Sequence, residues 1–121
     1  MPRLLPALAG ALALTLTLAG CSAGAVESVA VTDETVIIDV RTPSEYADGH
    51  LDGAVSADLN GGRLAAALPT LDPDAEYLVY CASGNRSSQA VRMMVDAGMT
   101  DVTDLGSVSQ ASDATSIPIV R

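Results

Sequence analysis

The chain has 121 residues, 49% hydrophobic and 17% charged, which suffices for one domain and excludes a disordered tail. It has no Trp and no Phe, and its three Tyr are the only aromatics, so a core must be built from Val, Ile, Leu, Ala and Met. Fifteen acids face six Arg and no Lys, a net charge of −9 that repels phosphate backbones and anionic headgroups and leaves nucleic acid out as an electrostatic partner.

Met1-Pro2-Arg3 makes a short, positively charged start, and residues 7–19 are apolar apart from Thr15 and Thr17. That run is shorter than the roughly 20 residues of a spanning helix and has the form of a secretory signal's apolar region. It closes on Leu18-Ala19-Gly20-Cys21, which resembles the lipobox of bacterial lipoproteins. The resemblance implies that the Cys21 thiol receives a diacylglyceryl group and that cleavage leaves Cys21 as the mature N-terminus. Residues 1–20 are then a lipoprotein signal peptide, 21–28 a lipid-anchored tether, and 29–121 a domain held at the cell membrane, facing outside the cytoplasm. Cleavage removes Arg3, and the remaining five Arg against fifteen acids give a charge of about −10. With Cys21 lipidated, Cys81 is a lone thiol, which in an exported protein points to reactivity rather than to a disulfide.

Strands and helices alternate after the tether. Val36-Ile37-Ile38-Asp39-Val40 is β-branched and apolar on both faces except at Asp39, the pattern of a central parallel strand. Thr42-Pro43-Ser44-Glu45 predicts a helix start, with Thr42 as N-cap, Pro43 at the first position and Glu45 closing a capping box. Gly49 and Gly53 frame a turn before a short strand over residues 54–57, and residues 63–68 form a small helix stopped by Pro69. Residues 77–80 are a second buried strand. Residues 86–97 form a helix with Ala90, Val91, Met93, Met94, Val95 and Ala97 on its apolar arc and Gly98 just past its end; the two Met are core. Asp101-Val102-Thr103 is a final short strand. Such alternation implies an α/β fold whose sites lie beyond the carboxyl ends of the strands, near residues 39–41 and 81–86.

The second of these carries the chemistry. Cys81-Ala82-Ser83-Gly84-Asn85-Arg86-Ser87 joins a buried strand to an amphipathic helix. Small residues, with Gly84 and Asn85 able to adopt left-handed conformations, let successive N–H groups turn inward as an anion-binding nest at a helix N-terminus. A Cys at its base has a depressed pKa, and its thiolate or the terminal sulfur of a persulfide is the anion held. Arg86 supplies the one fixed positive charge within reach.

The stretch 38–46, then Gly49-His50-Leu51-Asp52-Gly53-Ala54, then Tyr80-Cys81 through Ser87, is similar in order and spacing to the single-domain rhodanese family, over about residues 29–106. The resemblance implies a five-stranded parallel sheet flanked by helices. It also implies a Cys81 that accepts sulfane sulfur as a persulfide and passes it to a thiol or cyanide, with no metal or other cofactor. Ala82, Ser83, Gly84, Asn85, Arg86 and Ser87 match the persulfide cradle, with Arg86 binding a substrate anion or pairing with a surface acid. Asp39 and Arg41 support the site, as a buried ion pair or as direct substrate contacts, and Glu45 and His50 brace the helix and turn. Four residues between Cys81 and Arg86 give a loop sized for a sulfur atom; related phosphatases and arsenate reductases have one residue more.

The chain departs from the family after Asp104-Leu105-Gly106. A second Gly and a Trp-bearing helix are expected there, but residues 107–115 have neither and only three apolar residues among nine. A weak or irregular C-terminal segment is therefore expected. Two functions fit these observations: a membrane-anchored sulfurtransferase with a small sulfur-containing donor and a thiol or cyanide acceptor, or a catalytically silent rhodanese-fold binding or redox-sensing module at the cell envelope.

Overall fold

The computed structural model describes residues 27–121. The proposed signal peptide, Cys21 and most of the tether lie outside the described residues. Eleven short segments of regular structure follow one another, and their order puts the Cys81 loop at the carboxyl edge of a parallel sheet.

Strand β1 (Val36–Asp39) leads into helix α1 (Pro43–Asp48), then β2 (His50–Leu51) and β3 (Val55–Ser56). Helix α2 (Arg63–Ala67) ends in a 3-10 turn over Leu68–Thr70, and strand β4 (Glu76–Cys81) delivers the loop to helix α3 (Asn85–Asp96). Strand β5 (Asp101–Ser107), helix α4 (Val108–Thr115) and β6 (Ile119–Val120) complete the chain. The main sheet has four strands in the order β3-β1-β4-β5, all parallel, while β2 and β6 pair antiparallel as a separate ribbon. The expected fifth parallel strand is thus not in the main sheet: β2 is two residues long and takes the chain's C-terminal end as its partner.

Period-two alternation along the central strands sorts side chains into two cores. Ile38, Val40, Tyr77, Val79 and Cys81 face one side, with Leu64 of α2 and Ala90 and Met94 of α3. Ile37, Leu78 and Tyr80 face the other, with Leu51, Leu105 and the α4 residues Ala111 and Ala114. Being covered on both faces is why β1 and β4 read as near-continuous apolar runs.

Helix α3 is narrower on its apolar side than the sequence suggests. Its buried residues are Ser87, Ala90 and Met94, whereas Val95 is 53% exposed and Ala97 is exposed. A stripe at spacings of three and four residues is all that the sheet can cover, and Val95 lies one step beyond it. The helix ends as expected at Gly98, with φ +105°: the Gly98 N–H donates to the Val95 carbonyl and the Met99 N–H to the Met94 carbonyl, while Met99 packs into the same core as Met94.

Residues 107–115 are not irregular. Ser107 caps α4, accepting from the Gln110 N–H at 3.2 Å, while the Gln110 side chain accepts from the Ser107 N–H at 2.9 Å. That reciprocal box starts a helix in which the contact with the sheet is made by two buried alanines instead of a large aromatic. Strand β5 is also longer than the three residues expected, because a bulge opposite Val79 and Tyr80 takes up Leu105 and lets pairing resume at Gly106.

Because Ala111 is fully buried against this face, Ala111→Leu should overpack it and lower stability by about 1–3 kcal/mol, read as a shift in the urea midpoint. An unchanged midpoint would mean that α4 is only loosely attached.

Candidate active site

Residues 81–87 start where β4 ends. Cys81 is fully buried at the strand end, the chain turns at Gly84 with φ +96°, and α3 begins at Asn85. The positive φ falls on the residue that tolerates it, and the resulting curl aims the Gly84 N–H at the Cys81 sulfur, 2.9 Å away. Ala82, Ser83 and Asn85 are exposed at the rim, Gly84 and Arg86 half-buried, and Ser87 fully buried beneath the loop.

Ser87 stands between two partners. Its Oγ lies 3.4 Å from Cys81 Sγ and donates to the Gly84 carbonyl at 3.1 Å. The neutral thiol can donate to this hydroxyl; the thiolate would instead accept from it. Burial by itself raises the Cys81 pKa, but the Ser87 hydroxyl and the backbone N–H groups of Ser87, Gly84 and Ser83 outweigh it, and the net shift is downward. The sequence singled out Ser87 as part of a substrate cradle; its geometry directs it at the sulfur from below.

Arg86 meets a carboxylate. Its Nη1 donates to Glu45 Oε1 at 2.7 Å and its Nη2 to Oε2 at 3.0 Å, a bidentate pair between the first turn of α3 and the first turn of α1. Glu45 is also fixed by its own helix, since Oε1 accepts from the Thr42 N–H at 3.2 Å in the capping box. The Arg86 guanidinium is the main reason that the Glu45 carboxyl is lowered to about 2, with the Thr42 bonds adding to it and partial burial opposing it. Of the two roles expected for Arg86, the structure has the pairing with an acid; that the acid is Glu45, 41 residues away, had no sequence signal, because the capping pattern explains Glu45 without it.

Asp39 and Arg41 form a second, buried pair. The Arg41 Nη2 donates to Asp39 Oδ2 at 2.7 Å and Nε to both carboxylate oxygens at 3.1 Å, while the Arg41 N–H donates to Oδ1 at 2.9 Å. Nη2 also donates to the Gly49 carbonyl at 2.6 Å, and the guanidinium lies 5.6 Å from the centre of the Tyr80 ring. Tyr80, the residue before the cysteine, is fully buried and its hydroxyl accepts from the Leu51 N–H at 3.0 Å; burial pushes its pKa far up and keeps the phenol neutral. His50 stacks on Tyr46 with centroids 3.7 Å apart, and its Nδ1 lies 2.8 Å from the Tyr46 carbonyl.

A cleft of about 620 Å³ is at the opposite, amino end of the sheet, among Glu34, Asp72, Asp74, Glu76 and Asp101. It includes no residue of the Cys81 loop. The site is therefore a shallow cradle over one sulfur atom, and what it can do is hold a thiolate and stabilise an added sulfur or anion with backbone donors.

Residues 23–111 match the family model for the rhodanese-like domain. The chain belongs to that family. It is 37% identical over 71 residues to the thiosulfate sulfurtransferase PspE of Escherichia coli, a match covering 57% of this chain and 66%, just under two thirds, of that protein. The crystal structure of a rhodanese-like domain from the Alr3790 protein of Anabaena superposes with a TM-score of 0.63 at 31% identity, over 72% of this chain and 99% of that one. A structure described as rhodanese with anions from E. coli gives a TM-score of 0.59 at 31% identity, over 72% and 98%. Sulfurtransferases are its relatives, and the rhodanese-like fold is its fold.

Ser87→Ala should raise the Cys81 pKa and slow alkylation by iodoacetamide several-fold near pH 7, with the rate-versus-pH curve displaced to higher pH. An undisplaced curve would show that the hydroxyl does not stabilise the thiolate. For Glu45 the folded pKa lies below the ordinary 4.5, at about 2. The stability from its charge is therefore present above pH 4.5 and is lost as pH falls toward 2. In urea titrations, wild type and Glu45→Gln should differ at neutral pH and converge across that window; the difference should be small, because both side chains are partly exposed.

Proposed function

We propose that this chain is a lipid-anchored sulfurtransferase, working outside the cytoplasmic membrane, in which Cys81 accepts a sulfane sulfur as a persulfide and hands it to a thiol or to cyanide. The observation that carries the reading is the buried Cys81 sulfur with the Gly84 N–H 2.9 Å from it in the curled loop between β4 and α3. The relatives named thiosulfate sulfurtransferase support the same chemistry.

The Cys81 thiolate attacks the outer sulfur of a donor such as thiosulfate. The Sγ–S bond forms as the donor's S–S bond breaks, and sulfite leaves with the electron pair. The product is a persulfide anion on Cys81, its charge facing the N–H groups of the loop. A cyanide or thiolate acceptor then takes the terminal sulfur, and the thiolate is regenerated with no external oxidant. Two features suit the loop to this transfer. The donors on sulfur are backbone N–H groups that need no reorganisation, with the Ser87 hydroxyl beneath them, and the rim side chains Ala82 and Ser83 are small. Anchoring rests on Leu18-Ala19-Gly20-Cys21 following the apolar run, and a diacyl chain holds a domain firmly at a bilayer.

Intact mass should show a gain of one sulfur atom after incubation with polysulfide or concentrated thiosulfate, reversed by cyanide or dithiothreitol and absent in Cys81→Ser. No gain from any donor, in folded protein, would transfer the assignment to a binding or sensing module. When the chain is produced in a bacterial host that processes lipoproteins, it should partition into the detergent phase; Cys21→Ala should leave it in the aqueous phase, and equal partitioning would remove the anchor.

A further inference from the structure

The position of Arg86 raises a question about the donor. The side chains at 82, 83 and 85 are Ala, Ser and Asn, so the rim of the cradle is uncharged. Arg41 is buried and committed to Asp39 and the Gly49 carbonyl, and Arg92 turns along α3 to Ser88. Arg63 opens α2 and Arg121 ends the chain, both outside the loop. Arg86 is the cation at the loop–helix junction, and its charge is favoured chiefly by Glu45 and in addition by Cys81. Both nitrogens at its tip are taken by the Glu45 carboxylate, which α1 holds in place through the capping box.

Backbone N–H groups suffice for one sulfur anion. They do not neutralise a sulfonate. A thiosulfate dianion thus brings two negative charges to a protein with a large acidic excess, and its tail meets a guanidinium already paired. A persulfide donor, R–S–SH or its anion, brings the same transferable sulfur with at most one negative charge, carried on the sulfur that the loop N–H groups receive, and with no sulfonate tail.

We propose that Glu45 is a specificity-determining residue: by holding Arg86 in a bidentate ion pair it withholds that cation from the tail of a dianionic donor and turns the Cys81 site toward persulfide donors. The inference rests on the sulfurtransferase reading. In the favoured reaction the Cys81 thiolate attacks the terminal sulfur of R–S–SH, the new Sγ–S bond forms as the R–S bond to that sulfur breaks, RS⁻ leaves with the electron pair, and the proton stays on the transferred sulfur. Atoms and charge balance, and sulfur moves without net oxidation.

The test compares second-order rate constants for loading Cys81, read by intact mass on the full-length protein in neutral detergent. The donors are thiosulfate and an alkyl persulfide whose alkyl group carries no charge, generated in situ. Glu45→Gln keeps the capping box, since Gln serves at that position, and removes only the charge. It should raise the thiosulfate rate relative to the persulfide rate by about tenfold at low ionic strength, with the gain shrinking as salt is added. Glu45→Gln combined with Arg86→Gln should lose the gain. Wild-type loading by thiosulfate should quicken or hold steady as salt rises, a readout that needs no variant. The proposal is overturned if the donor ratio in Glu45→Gln stays within about twofold of wild type or falls, if the gain survives in the double variant, or if salt steeply slows wild-type thiosulfate loading. Loading by both donors with an unchanged ratio sinks this inference alone; loading by neither sinks the sulfurtransferase reading beneath it.

Discussion

The buried Asp39–Arg41 pair is the interaction on which the rest of the site depends. Asp39 is the last residue of β1 and fully buried, and Arg41 has left the strand by two residues. Their contact bends the chain back on itself, and the Nη2 that bonds Asp39 also reaches the Gly49 carbonyl at the end of α1. That one nitrogen ties both ends of α1, a helix with no buried residue of its own, and so helps set where Glu45 stands. Glu45 holds Arg86, and Arg86 belongs to the turn of α3 that closes the sulfur cradle. The same guanidinium lies on the ring of Tyr80, the residue that precedes Cys81. A buried pair of this kind contributes little against an apolar substitute, yet removing one partner typically costs about 3–5 kcal/mol because the other charge is left buried and alone. Its value here is positional: one carboxylate and one guanidinium join the end of β1, the two ends of α1 and the ring of Tyr80.

Charge is distributed unevenly along the sheet axis. Five of the fifteen acids gather at the amino end, around the wide cleft. At the carboxyl end the nearby acids Asp39 and Glu45 are each matched by an arginine, leaving the loop close to neutral. The thiolate is therefore stabilised by short-range dipoles rather than by a cationic field. Backbone N–H groups hold one atom at a set distance, whereas a free guanidinium would draw any anion to the mouth of the site. On the proposed sulfurtransferase reading, selectivity for sulfur over bulkier oxyanions follows from using the first device and pairing off the second.

The strand runs, the capping box at Thr42 and the Cys81 loop were legible because each rests on local chemistry: short apolar runs rich in β-branched residues, a Thr-Pro-Ser-Glu start, and a Gly in a tight curl, although Asn85, also expected to suit a left-handed turn, instead begins α3. What was not legible depended on contacts distant in sequence. The burial of Val95 was decided by how much of α3 the sheet can cover, which periodicity does not state. The Glu45–Arg86 pair joins residues 41 positions apart, and each already had an adequate local role. The count of parallel strands failed because β2 is too short to extend the sheet and pairs with Ile119–Val120, a segment whose partner no local pattern names.

The C-terminal segment shows how a departure from a family pattern can be absorbed without touching the chemistry. Gly106 is the position at which β5 resumes pairing after its bulge, with φ +80°, and a side chain there would collide with Gln110. Its backbone also lies nearest to the space over Gly84, at van der Waals distance, so this glycine supports the sulfur loop from the β5 side. The residue after it has a different duty. Ser107, where the family pattern places a second glycine, uses its hydroxyl to start α4, and the helix then seats Ala111 and Ala114 on Leu78, Tyr80 and Leu105. A sheet face that meets small residues needs no Trp to be covered, provided the helix axis can come close, and alanine permits the close approach. The departure from the family pattern thus falls on residues that start α4 and cover the sheet, while the Cys81 loop keeps its own geometry.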